Sequence, residues 1–193
     1  MAQRIVDVTL ENLGEAPQEP LNSVFWELDE EPTVEPRFEK EEWFSMALLE
    51  WGTCGKLAYD EEAAVAFAEY APPGMFPRLA KFRCGRVSGD AIYLSYCYVA
   101  PERRGIGLGS AMVRAVARDL LERGVRAVEA LGDREGSAAW VLPTSFLDRN
   151  GFTVVRDDAR YPLMRLEVEA AIAPQAAEEA VAMTLPVPAP GWA

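Results

Sequence analysis

The stretch of this chain best equipped for chemistry is Tyr98–Arg114, YVAPERRGIGLGSAMVR. An apolar run ends at Val99, glycines recur at Gly105, Gly107 and Gly109, and an amphipathic run opens at Leu108. Glycine has no Cβ, so the backbone N–H groups of such a loop can turn onto a ligand. A helix beginning there adds the partial positive charge of its N-terminus. With the charge of Arg103 beside them, Arg104, Gly105, Ile106, Gly107, Leu108, Gly109 and Ser110 form a cradle for a pyrophosphate. A P-loop needs GxxxxGK[ST], and no Lys follows here. A dinucleotide fingerprint, GxGxxG, fails as well: read from Gly105 it ends on Ser110, and read from Gly107 it ends on Met112.

Other chemistries are excluded by composition. The chain of 193 residues has 0 His, which removes Ser-His-Asp, Cys-His and His-ligated zinc mechanisms. Three cysteines, at 54, 84 and 97, form neither a disulfide framework nor a CxxC metal site, so they are expected reduced and no metal is expected. With 19 Lys+Arg against 31 Asp+Glu the net charge is −12, which argues against a nucleic-acid partner and is compatible with a cationic one. No run approaches the ~18 apolar residues of a membrane span, and MAQRIVDVTL lacks the apolar stretch of a signal peptide. A cytoplasmic location is the expectation.

The elements that must position the glycine loop can be read on either side of it. Residues 1–37 read as an acidic, Pro-containing lead-in, in which Val24, Phe25, Trp26 and Leu28 are apolar enough to dock. Residues 38–51 read as a helix, with acids near its start and Gly52 and Gly55 ending it. Lys56–Asp60 and Ala63–Ala71 read as a hairpin, and the prolines at 72, 73 and 77 make 72–89 a loop. Ala91–Val99, AIYLSYCYV, is the strongest strand, apolar and aromatic as a central strand should be. A helix over 108–123 carries one apolar stripe, and Val125–Leu131 is the next strand, which makes 91–131 a β-α-β unit. A short helix at Thr144–Arg149 and a strand pair, Phe152–Arg156 and Leu163–Val168, follow. Residues 169–193 read as a mobile Ala/Pro-rich tail with a helical turn at 175–183.

The words V-x-P-x-x-R-G-x-G-x-G, standing between a strand and an amphipathic helix, resemble the GCN5-related N-acetyltransferases (GNAT). The order of elements fits over residues 38–168, including the Gly151-Phe152 that follows the short helix. Trp26-Glu27-Leu28, Leu48-Leu49-Glu50-Trp51-Gly52 and Ala71-Pro72-Pro73 look like an actinobacterial subgroup of that superfamily. The resemblance implies a mixed α/β (α+β) fold: a mostly antiparallel twisted sheet with a central splayed strand pair and flanking helices. Residues 38–168 are then the acetyltransferase-like domain.

The resemblance also implies the chemistry. Acetyl-CoA is the co-substrate, its pyrophosphate on Arg104–Ser110 and its pantetheine arm on the backbone of Cys97, Tyr98 and Val99. The Val99 N–H donates to the thioester carbonyl and an amine attacks directly, so Cys97 need not be a nucleophile. By period two, Tyr93, Ser95 and Cys97 share the face where family bases stand, and none is a carboxylate or His. Glu129 on the next strand is the candidate base, with a water held by Ser95 or Tyr96 as the alternative. The family's acidic Tyr is replaced by Leu147, with Thr144, Ser145, Tyr161 or bulk water as substitutes.

The lead-in, the 38–51 helix and the 72–89 loop correspond to the acceptor side and offer Trp43, Trp51, Tyr70, Met75 and Phe76. Acceptors implied are a cationic small molecule or a peptide or protein amine. An acyl-CoA-binding regulator with little turnover and a non-enzymatic scaffold are the alternatives. Pairing of two copies through the final strands is the oligomer the resemblance offers.

Overall fold

A computed structural model describes residues 4–172. Of the expected tail, 169–172 are helical and the remainder, with the turn at 175–183, lies outside the described residues. The elements run β1 (Arg4–Asp7), α1 (Gln18–Leu21), α2 (Pro36–Glu50), β2 (Gly55–Asp60), β3 (Ala63–Ala71), β4 (Ala91–Val99), α3 (Leu108–Glu122), β5 (Ala127–Asp133), β6 (Leu142–Pro143), α4 (Thr144–Arg149), β7 (Thr153–Arg156) and β8 (Leu163–Glu167). The strands form one sheet in the order β1-β2-β3-β4-β5-β8-β7, with β6 on β5. The β4–β5 and β5–β6 pairs are parallel and the other neighbours antiparallel.

Helices cover both faces of the sheet, so its central strands are apolar on both sides. On one face α2 buries Trp43, Phe44 and Ala47 against Phe67, Phe76, Tyr93 and Tyr96. On the other, α3 lays Met112, Val113, Val116 and Leu120 on Leu94, Val128 and Met164. That stripe is the helical periodicity legible in 108–123.

The helix expected from residue 38 begins slightly earlier in the structure. Helix α2 starts at Pro36, where a proline's missing N–H costs nothing. Strand β1 pairs with β2, and Leu13, Leu21 and Trp26 are buried in the same core as α2. The lead-in is therefore part of the folded unit. The 72–89 segment contains two 3-10 turns, and its Phe76, Leu79 and Cys84 are core residues.

One irregularity shapes the centre of the sheet. Consecutive residues Glu69 and Tyr70 on β3 face Tyr96 and Leu94 on β4, which leaves Ser95 as an extra residue. Such a bulge breaks the two-residue alternation and bends its strand. Tyr93 and Tyr96 accordingly pack on the same side, Leu94 and Cys97 on the other, so the expected shared face of Tyr93, Ser95 and Cys97 does not exist. The parallel pairing of β4 with β5 covers only Ala91↔Ala127, Ile92↔Val128 and Tyr93↔Glu129. Beyond Tyr93, just before the bulge, the two strands splay. Among the described residues no helix is long and apolar enough to cross a membrane.

Candidate active-site cleft

The splay opens into a cleft of about 600 Å³. Ser95 to Val99 of β4 form one wall; Ala138 to Pro143, Phe146 and Arg149 form the other; Arg103, Arg104, Gly105 and Gly107 to Ser110 close one end. A volume of this order suits a ligand larger than a metabolite fragment. Among the described residues the lining contains Arg103, Arg104 and Arg149 and no carboxylate, so it favours an anion.

The glycine loop delivers its donors by local geometry. Gly107 caps α3 with φ +87°, a left-handed conformation that side-chain-bearing residues resist. Its carbonyl accepts the Ala111 N–H at 3.0 Å, and no side chain caps the helix. The N–H groups of Leu108, Gly109 and Ser110 thus precede the first intrahelical bond and open towards the cleft end. A Cβ on Gly109 would stand 2.9 Å from the Phe146 ring, so this glycine lets α3 approach α4. Arg104 donates through Nε to the Val99 carbonyl at 2.9 Å, and Arg103 is ion-paired to Asp60. Ile106 is 63% exposed and does not line the cleft, unlike the other loop residues.

Strand β4 aims backbone groups into the gap. The Ala100 N–H donates to the Val65 carbonyl at 2.8 Å, and Ala66 faces Val99. Alternation along an antiparallel ladder then turns the N–H groups of Val99 and Cys97 away from β3, towards the splay. Burial pushes the Cys97 thiol up to about 12, so it remains protonated near neutrality.

The opposite wall hangs on Asp133, which the sequence reading overlooked. Its carboxylate accepts the N–H groups of Glu135, Ser137 and Ala138 at 3.1, 2.8 and 2.7 Å and lies 3.6 Å from Arg160. Burial alone would raise this carboxyl; the three N–H groups and Arg160 outweigh it and hold it below the usual carboxylate range. Farther along, the Trp140 carbonyl accepts the Trp26 indole N–H at 2.8 Å. Trp140, Phe146 and Arg149 were also missed; Phe146 and Arg149 stand just before Gly-Phe at 151–152, and no pattern pointed to Trp140.

Several expected site residues lie elsewhere. Glu129 is 0% exposed, sits at the paired end of β4 and β5, accepts the Ser88 N–H at 2.9 Å and pairs with Arg165 at 3.2 Å. It does not line the cleft, and a guanidinium holds its carboxylate, so the structure does not bring the expected base to the cleft wall. Trp43, Tyr70 and Phe76 are core residues, and Tyr70 lies on the α3 side, donating to Asp119. Leu147 is buried under α3, and Tyr161 packs edge-on against Phe82 at 5.3 Å. Thr144, Ser145 and Tyr161 do not line the cleft. Among the described residues no three His, Cys, Asp or Glu side chains gather where they could hold a metal ion.

A parallel strand pair that splays over a glycine loop at a helix N-terminus has counterparts among known proteins. The model of the acetyltransferase (GNAT) family matches residues 20–141, and the chain belongs to that family. It is similar in fold to PaiA N-acetyltransferase from Thermoplasma acidophilum, solved with coenzyme A: 14% identity, 86% of this chain and 99% of that one, TM-score 0.54. A Salmonella typhimurium protein solved with its cofactor acetyl-CoA matches at 14% identity over 87% of this chain and 95% of its own, TM-score 0.60. The ribosomal-protein-S18-alanine N-acetyltransferase of Escherichia coli matches at 17% identity over 86% and 94%, TM-score 0.54. No curated protein matches the chain in sequence.

Proposed function

We propose that this protein moves an acetyl group from acetyl-CoA directly to an amine, on a cationic small molecule or on a peptide or protein. The observation that carries the reading is the splay of β4 from β5, opening at one end onto the N–H groups of the α3 N-terminus. In this reading the Arg104–Ser110 loop takes the pyrophosphate, with Arg149 adding charge. The pantetheine arm lies along β4 in place of a paired strand. An arm anchored at the loop meets Val99 before Cys97. The Val99 N–H, expected at the thioester, therefore holds the arm, and the deeper Cys97 N–H polarises the thioester carbonyl as charge develops on it. A protonated Cys97 thiol fits direct transfer without an acyl-enzyme. The CoA and acetyl-CoA complexes of the two fold neighbours support the choice of co-substrate. A cytoplasmic location supplies acetyl-CoA. The exposed Val154 and Val155 on the β7 edge favour pairing of two copies there.

A CoA-binding regulator is the second reading, favoured by the buried Leu147 where family members carry a proton-donating Tyr. Calorimetric titration with acetyl-CoA, followed by a free-thiol readout against a panel of amines, separates the two. Binding with amine-dependent thiol release is expected. Binding without release selects the regulator, and no binding overturns both.

A further inference from the structure

Behind the cleft wall lies a buried charge cluster that binding of acetyl-CoA does not use. Lys40 of α2 pairs with Glu27 and, at 3.0 Å, with Glu69 of β3; all three side chains are 0% exposed. The Lys40 ammonium stands over the Tyr96 ring, 4.6 Å from its centre. Glu27 accepts the Trp26 N–H at 2.9 Å, and the Tyr96 hydroxyl meets the Ser23 hydroxyl at 2.8 Å. Burial holds the Lys40 ammonium below its ordinary pKa against the opposing pull of Glu69 and Cys54. The groups facing Glu69 are thus Lys40 and Glu27, Ser95 and Tyr96 of β4, and Cys54 before β2. Two carboxylate side chains thus share the single amino group of Lys40, all three shielded from solvent.

The cluster reaches the cleft at Ser95 and Tyr96. Ser95, the extra residue of the β4 bulge, lines the cleft and donates its hydroxyl to Glu69 Oε1 at 2.7 Å and to the Glu69 carbonyl at 3.0 Å. It stands two residues from Cys97, where the thioester carbonyl was placed. We propose that Ser95 and Glu69 are the route by which the acceptor amine loses its proton: the ammonium gives a proton to Ser95 Oγ as the Ser95 hydroxyl proton passes to Glu69 Oε1. The freed nitrogen lone pair then forms the C–N bond, the C–S bond breaks, the thiolate takes the second proton from the nitrogen, and once the products leave Glu69 returns its proton through the Ser95 hydroxyl to water in the cleft. Ser95 is the catalytic residue of this route, and Glu69 acts through it as a positioning residue and proton acceptor, with Glu27 and Lys40 fixing its carboxylate. The inference rests on the transferase reading above.

The test compares wild type, Ser95→Ala, Ser95→Thr and Glu69→Gln in acetyl-CoA turnover with methoxyamine, neutral at pH 7, and with lysine methyl ester, ethanolamine and a lysyl peptide, which are cationic. Ser95→Ala keeps both buried ion pairs, so it tests the route even if Glu69→Gln fails to fold. Expected is a loss of about 100-fold in kcat with the cationic amines for Ser95→Ala and Glu69→Gln. The loss with methoxyamine stays under about threefold, Ser95→Thr restores the rate, and acetyl-CoA affinity is unchanged. The variants' rates with cationic amines then climb about tenfold per pH unit, following the amine's own neutral fraction. Equal losses with all amines, or an unaltered pH profile in Ser95→Ala, overturn the route while leaving the transferase standing. No turnover by wild type with any amine overturns the transferase reading itself and the route with it.

Discussion

At the scale of single residues, the site turns on what a side chain would do to the loop. Gly107 holds a left-handed φ of +87° at the start of α3. A side-chain-bearing residue there costs roughly 1–2 kcal/mol, more when β-branched, and relief would rotate the first-turn N–H groups. Gly107→Val should weaken acetyl-CoA binding at least about tenfold while the melting temperature moves by only a few degrees. Calorimetry beside a thermal melt checks this, and unchanged affinity would detach the loop from the pyrophosphate. The loop was legible in sequence because left-handed backbone and close helix approach both demand glycine. The charged residues were not. Glu129 could be placed mid-strand, but Arg165, 36 residues on, takes one of its oxygens. Glu69 and Lys40, 29 residues apart, read as solvated acid and base until α2 closes over β3. A charge in a sequence gives no sign of its partner.

At the scale of elements, the cleft requires two strand ends kept apart and a wall facing them. Strand β4 was found with its ends, yet its bulge escaped because period-two reading assumes an unbroken ladder. Strand β6, only two residues long, and the 134–141 turn before it carry no pattern to read. That turn is organised by Asp133. Asp133→Ala would leave three backbone N–H groups without their carboxylate, a cost of about 1–3 kcal/mol, and loosen Ala138 to Val141. Reduced melting temperature together with weaker acetyl-CoA binding is expected at pH 7. The folded carboxyl titrates below its unfolded value, so its contribution is complete above the unfolded pKa of about 3.9 and disappears as pH falls through the folded one. The stability gap between wild type and Asp133→Ala should therefore narrow below about pH 4, as melts at pH 7 and pH 3 will show. A gap independent of pH would mean that the charge of Asp133 contributes nothing.

At the scale of the whole molecule, the acidic first segment is where composition misleads. Its charges and prolines describe its surface, whereas Leu13, Leu21 and Trp26 fall at no helical or strand period and so leave no pattern. All three are fully buried against the sheet, and β1 lengthens that sheet beyond β2. Burying each is worth about 1.5–3 kcal/mol, so together they approach the roughly 5–15 kcal/mol of net stability a domain keeps. The same segment supplies Glu27 to Lys40, and removing one partner of a buried ion pair is itself costly. A chain lacking residues 1–35 should therefore show no cooperative thermal transition, whereas the full chain melts in one step. Circular dichroism melts of both decide the matter: a cooperative transition in the shortened chain would support a domain boundary near residue 38 and make the first segment an accessory to the fold. If that chain folds and Lys40 tolerates the loss of Glu27, the buried cluster needs only Glu69 and Ser95 to do its work.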